Sequence, residues 1–229
     1  MRTQSPATTE SKFQTYWEYH WKFFLAGAAL VVVLVVCLIS VFAQTKYDTS
    51  VLMATSGKNI HADQPVMAAL QKKLNEYGAD IDGNGTAAIL LDIVDFTSSE
   101  FSQGDMGPHV RLTAELQAGT SQLYIFDKSI YENFLGDGEH YLNLAKAFPQ
   151  YDIPLEYAVP LSDTPLGDLQ YGLPEEGLYY NETEADYIAR NEAILDDLYL
   201  VFRVDSGLEP ARREAQYALL ERLLQDAFR

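Results

Sequence analysis

The clearest chemical pattern in the chain is "DIDGNG", residues 80–85. Asp80, Asp82 and Asn84 stand at the first, third and fifth places of a calcium loop, Gly85 stands where that loop turns sharply, and the carbonyl of Thr86 falls at the seventh. Oxygen donors at this spacing suit a hard cation. They supply about five oxygens where calcium takes six to eight, and the closing positions are apolar, with Ala88 at the ninth place and Leu91 at the twelfth. A tight turn from helix to strand explains the same residues, because Asp, Asn and Gly adopt left-handed backbone and bond it locally. We read the loop as a turn, with calcium completed by a distant carboxylate as the alternative.

Other chemistry is weaker. "TSGKN", residues 55–59, has the Gly-Lys of a phosphate loop, but Leu52 replaces its first glycine and Asn59 its Ser or Thr. His61, His109 and His140 lack ligand spacing, and no Ser sits in a nucleophile elbow. The carboxylate next to His140 in "GDGEHY" reads as a solvated turn. Asp92 lies inside the apolar run "AAILLDIVDF" and needs a partner there; a structural partner is the simpler expectation, and an acid-based hydrolase the alternative. Residues 163–197 hold ten Asp and Glu against Arg190 alone. Tyr171, Tyr179, Tyr180 and Tyr187 are interleaved with these acids and offer an interaction surface for a basic partner or peptide. A solvated acidic face explains the same composition.

The elements that must position these groups alternate. After a link at residues 44–50, "VLMAT" reads as a buried strand. A helix follows from Gln64 and Pro65 through Val66, Met67, Leu70, Leu74 and Tyr77, and residues 87–96 read as a central strand, apolar on both faces. A helix from Pro108 carrying Val110, Leu112, Ala114 and Leu116 ends at Gly119; "QLYIF" is the third strand, and residues 129–135 a short helix. Residues 155–163 form a strand that Pro160 pushes to an edge, Thr183 caps a helix, "LYLVFRV" returns as a strand, and residues 210–228 close with a helix whose stripe is Tyr217, Leu220, Leu224 and Ala227. The order implies right-handed crossovers and one three-layer α/β domain, residues 51–229, with a mixed, mainly parallel sheet.

Ahead of it, residues 23–43 run twenty-one positions without a charge, the length of a transmembrane helix across about 30 Å of hydrocarbon. Tyr16, Trp17, Tyr19 and Trp21 precede this span, as residues of an interfacial belt do. A signal sequence cleaved before Gln44 is the rival, although the apolar run is long for one. Arg2, Lys12 and Lys22 precede the span and Lys46 and Lys58 follow it, which favours a cytoplasmic tail at residues 1–22 and an extracytoplasmic domain. Residues 44–229 carry 13 Lys and Arg against 31 Asp and Glu, which excludes nucleic acid as a partner. The only cysteine, Cys37, lies in the span, so the domain has neither disulfides nor thiolate sites.

Two resemblances follow. "RLTAELQAGTSQLYIFDKSIYENF", residues 111–134, resembles the first lobe of type 2 periplasmic solute-binding proteins, with Ala118 and Gly119 as the small-Gly pair and Asp127 ending the strand. That resemblance implies ligand contacts at the carboxyl ends of the strands, from Thr55, Ser56 and Lys58 together with Asp127. It covers 24 residues of the outer domain, which is short for two lobes and a hinge. The whole layout, "YW...Y..WKF" then span then α/β domain, resembles single-pass membrane proteins of Gram-positive bacteria with an extracytoplasmic α/β domain; that resemblance implies no activity. The expected function is a membrane-anchored, non-catalytic binding domain without a resident cofactor. Its partners would be the bilayer and another membrane or envelope protein or a basic peptide. A surface hydrolase and a calcium-dependent module are the alternatives.

Overall fold

A computed structural model describes residues 9–42, 47–58, 60, 64–96, 106–136, 138–173, 178 and 182–228. These divide into two units, the first 46 residues and Tyr47–Arg229. The first holds α1, Thr9–Phe42, whose stretch Tyr19–Cys37 is long and apolar enough to cross a membrane. The leucines and valines of that stretch are exposed.

The second unit runs β1 (Thr49–Ser56), α2 (Pro65–Tyr77), β2 (Ile89–Phe96), α3 (Met106–Ala118), β3 (Leu123–Asp127), α4 (Lys128–Phe134), α5 (Leu144–Ala147), β4 (Ala158–Pro160), α6 (Glu184–Leu195), β5 (Leu198–Phe202) and α7 (Pro210–Ala227). The five strands form one mixed sheet in the order β2-β1-β3-β5-β4. β1 pairs in parallel with β2 and β3, while β5 pairs antiparallel with both β3 and β4. Four strands therefore point one way, but only half of the pairings are parallel, fewer than the alternation of elements suggested.

Side-chain alternation builds the layers. Val51, Met53, Leu123, Ile125, Leu198 and Leu200 face one core with Val66, Leu70 and Leu74 of α2 and Leu220 and Leu224 of α7. Leu52, Ala54, Tyr124, Phe126 and Val201 face the other, with Leu112 of α3 and Ile130 of α4. Every buried member of both cores lies between Val51 and Leu224, so this unit carries its own hydrophobic core. Gln216, wholly buried on α7, ties the strand starts together: its Oε1 accepts from the N–H of Gln122 and Leu123, and its Nε2 donates to Thr49 Oγ1 and the Ser50 carbonyl.

Three expectations change. β2 lies at the sheet edge, although its sequence is apolar on both faces: α2 packs on one face and α3 on the other, while Leu90 and the outer hydrogen-bonding rim stay open. Gln71 and Asn75 bond Ile89, and Arg111 bonds the carbonyl of Ile93, so side chains occupy part of that rim. On α3 Leu112 is buried but Val110 is exposed, since residues two apart on a helix diverge by about 200°. On α7 Leu219 and Leu223 join the buried stripe while Tyr217 is partly exposed. β4 is an edge strand, as Pro160 required, and is only three residues long.

Candidate functional site

The loop at residues 80–86 joins α2 to β2 and folds around its own side chains. Asp80 Oδ1 accepts from the N–H of Gly83 at 2.7 Å and Asn84 at 3.1 Å, and Oδ2 from Gly85 at 2.7 Å. Asp82 accepts from the N–H of Asn84, and Asn84 accepts from both the N–H and hydroxyl of Thr86. Gly83 and Gly85 take φ of 74° and 92°, which a side chain would oppose. The N–H of Gly85, helped by those of Gly83 and Asn84, holds the Asp80 carboxyl below its ordinary range against a smaller desolvation effect. These are the local bonds expected of a turn.

A residue of the link before β1 joins them. Asp48, 4% exposed, accepts from the N–H of Ile81 at 2.8 Å and Asp82 at 3.1 Å through Oδ1, and from Ala88 at 2.8 Å through Oδ2. Its own N–H donates to the carbonyl of Ala88. Asp48, Asp80 and Asp82 each place a carboxylate oxygen so that the three lie within 4.8 Å of one another, a cluster that could hold a metal ion. The signal for Asp48 lay in topology: two parallel strands side by side bring their starts together, and the register Thr49 with Ile89 sets Asp48 beside Ala88.

At the opposite end of the sheet lie the residues implied by the solute-binding resemblance. Thr55 is fully buried and donates to Asp95 Oδ1; Asp95 Oδ2 accepts from the N–H of Ile60 at 3.4 Å. Ser56 offers its backbone N–H to Asp127, whose other oxygen caps α4 through the N–H of Ile130 and also accepts from Ser129 Oγ. Lys58 turns away to the C-terminus of α6, where Nζ donates to the carbonyls of Ala193 at 3.1 Å and Asp196 at 2.6 Å, as a cation at a helix end should. The structure thus gathers Thr55, Ser56 and Asp127 at one edge, but commits the side chains of Thr55, Asp127 and Lys58 and the backbone N–H of Ser56 to the chain's own framework. Gly119 has φ of 62°, and a Cβ there would lie 2.5 Å from the N of Gly207, which explains the glycine of the small-Gly pair by packing.

Asp92 pairs with Arg111 on the edge strand. The acidic segment also differs from expectation. Tyr187 is 3% exposed on the inner side of α6 and donates to the Gly172 carbonyl; Tyr171 meets it edge-on and donates to the Ile188 carbonyl. These two tyrosines fasten residues 171–173 to α6 instead of standing out as anchors, because a ring beside an amphipathic helix gains more from its apolar side. Tyr179 and Tyr180 lie outside the described residues, as do His61 and Asn59. Thr183 caps α6 in a reciprocal box with Asp186. His140 pairs with Asp205 at 2.6 Å on the surface, and the His109 ring packs against Phe96.

No protein-family model matches the chain, and comparison with curated proteins and with solved structures finds no match.

Proposed function

We propose that the chain is a membrane-anchored, non-catalytic interaction domain, with residues 23–43 in the cell membrane, the N-terminal tail cytoplasmic and residues 47–229 outside. One observation carries the non-catalytic reading: the acids and hydroxyls at the carboxyl edge, Thr55, Asp95 and Asp127, are bonded to one another or to nearby backbone. An acid hydrolase needs two carboxylates facing one substrate, and Asp92 faces a guanidinium. A single sheet also supplies only one wall where a two-lobed binding protein closes two around its solute. The partner is then a macromolecule met at the surface, and the excess of acids favours a basic one, a membrane or envelope protein or a basic peptide.

Two experiments test this. Alkaline carbonate should leave the full chain in the membrane pellet, and its release would sink the anchored reading. A zero-length carbodiimide joins carboxylates to a partner's lysines, so on intact cells it should give a discrete adduct; monomer alone would sink the interaction reading.

A second reading, a calcium-dependent surface module, is favoured by the arrival of Asp48 at the loop. Asp48, Asp80, Asp82 and Asn84, with the Thr86 carbonyl, would supply the protein oxygens and water the rest. As a plain turn the loop needs no ion, and 1 mM calcium leaves the melting temperature unchanged. With a dissociation constant of about 0.1 mM, calcium would stabilise by roughly 1.4 kcal/mol; a rise abolished in both Asp80→Ala and Asp82→Ala would establish this reading.

A further inference from the structure

The seam between the last turn of α3 and the stretch after β5 contains three buried polar atoms with no hydrogen-bond partner among the described residues: Gln122 Oε1, Arg203 Nε and Ser206 Oγ. Several contacts draw their residues together. The N–H of Arg203 donates to the Gln122 carbonyl at 2.8 Å, and Gln122 Nε2 donates back to the Arg203 carbonyl at 3.2 Å. Arg203 Nη1 reaches the Leu116 carbonyl on α3. Ser206 lies against the end of the same helix, its Cα 3.0 Å from where a Cβ on Gly119 would stand. Gln122 is 4% exposed, so bulk water does not serve its side chain.

Buried polar groups in folded proteins are almost always paired, with protein or with ordered water. The three atoms specify the partner. Gln122 Oε1 only accepts, Arg203 Nε only donates, and Ser206 Oγ does either. An anion would suit Arg203 but set its lone pairs against those of Gln122. A metal cation would meet the guanidinium. Nearby Tyr124 donates to the Ser121 carbonyl at 2.7 Å, and burial pushes its hydroxyl up to about 12 against the charge of Arg203 and a hydrogen bond from the Arg203 side chain.

We propose that this seam is a binding site for one small neutral molecule that both donates and accepts, a structural water, which donates to Gln122 Oε1, accepts from Arg203 Nε and bonds Ser206 Oγ. It fastens the C-terminus of α3 to the start of β3 and the exit of β5, beside the direct bonds made by Arg203 Nη1 and Gln122 Nε2.

A crystal structure of residues 47–229, grown with bromide as the halide and at a resolution that shows solvent, tests this. The expected result is an ordered oxygen within about 3.2 Å of all three atoms. A bromide peak at the site, an empty seam, or direct bonds among the three side chains would each overturn the proposal. In solution, Overhauser transfer from a long-lived water to the Gln122 Nε2 hydrogens should be present, while in Gln122→Met the matching transfer to the side-chain methyl should be absent. Transfer in both proteins or in neither counts against the site.

Discussion

Replacing Asp48 probes how the domain closes the end of its sheet from which the parallel strands start. The carboxylate accepts three backbone N–H bonds, two at 2.8 Å and one at 3.1 Å, and is 4% exposed. A hydrogen bond to a charged group contributes about 1.5–3 kcal/mol net. Ile81 and Asp82 are exposed, so water can replace the carboxylate at their N–H groups, whereas the half-buried N–H of Ala88 is left poorly served. Asp48→Ala should therefore cost about 2–4 kcal/mol, well under three full bonds. Repulsion works the other way: Asp80 and Asp82 each place a carboxylate oxygen within 4.8 Å of one on Asp48, and each pair repels by at least about 0.9 kcal/mol in water and roughly half that at physiological salt. The hydrogen bonds win. Asp48→Asn keeps one accepting oxygen but turns an amide N–H toward Ala88, for a cost of about 1–2 kcal/mol. Urea unfolding of residues 47–229 at pH 7 without divalent ions, followed by circular dichroism, should rank wild type above Asn above Ala at constant m value. An Ala variant within about 0.5 kcal/mol of wild type would refute the role of Asp48, and an Asn variant more stable than wild type would mean that repulsion dominates.

Leu70→Ala on α2 empties a fully buried site and should cost about 2–5 kcal/mol in the same unfolding experiment; a loss under 1 kcal/mol would contradict the core assignment. Gly119→Ala combines a φ of 62° with a 2.5 Å approach to backbone and should cost about 2 kcal/mol or more, whereas an unchanged urea midpoint would mean that the α3 terminus is not clamped. The folded pKa of Asp80 is depressed, first by the Gly85 N–H, and that of Asp186 first by the Thr183 hydroxyl. Their bonds are thus complete above the unfolded value of about 4 and are lost as pH falls through the lower folded value. The amide resonances of Gly85 and Thr183, whose N–H groups donate to Asp80 and Asp186, should hold steady from pH 7 to 5 and titrate with midpoints below about 4; midpoints above that contradict the bonding.

Periodicity made the helices legible. Pro65 after Gln64, the Thr183 cap and the Leu70 and Leu74 spacing each set an element where the structure has it. Burial pattern misled at β2, because a strand covered by helices on both faces reads as central whether or not both of its rims are paired. The loop from Asp80 to Thr86 was legible as a unit because its bonds are local. Asp48 and Asp95 were not, since their roles depend on strand register, which pairs residues forty apart. Tyr171 and Tyr187 were read from composition, which cannot tell the inner from the outer side of α6.

Protease shaving of intact cells tests the anchored, outward-facing domain most directly. Protease added outside should digest residues 47–229 and leave a membrane-embedded fragment of roughly the first 45 residues, the length set by the helix and its short tail. A full-length chain that survives in intact cells and is digested only after lysis would contradict the account. Soluble protein beginning at Gln44 would contradict it differently, by showing that the apolar helix is removed.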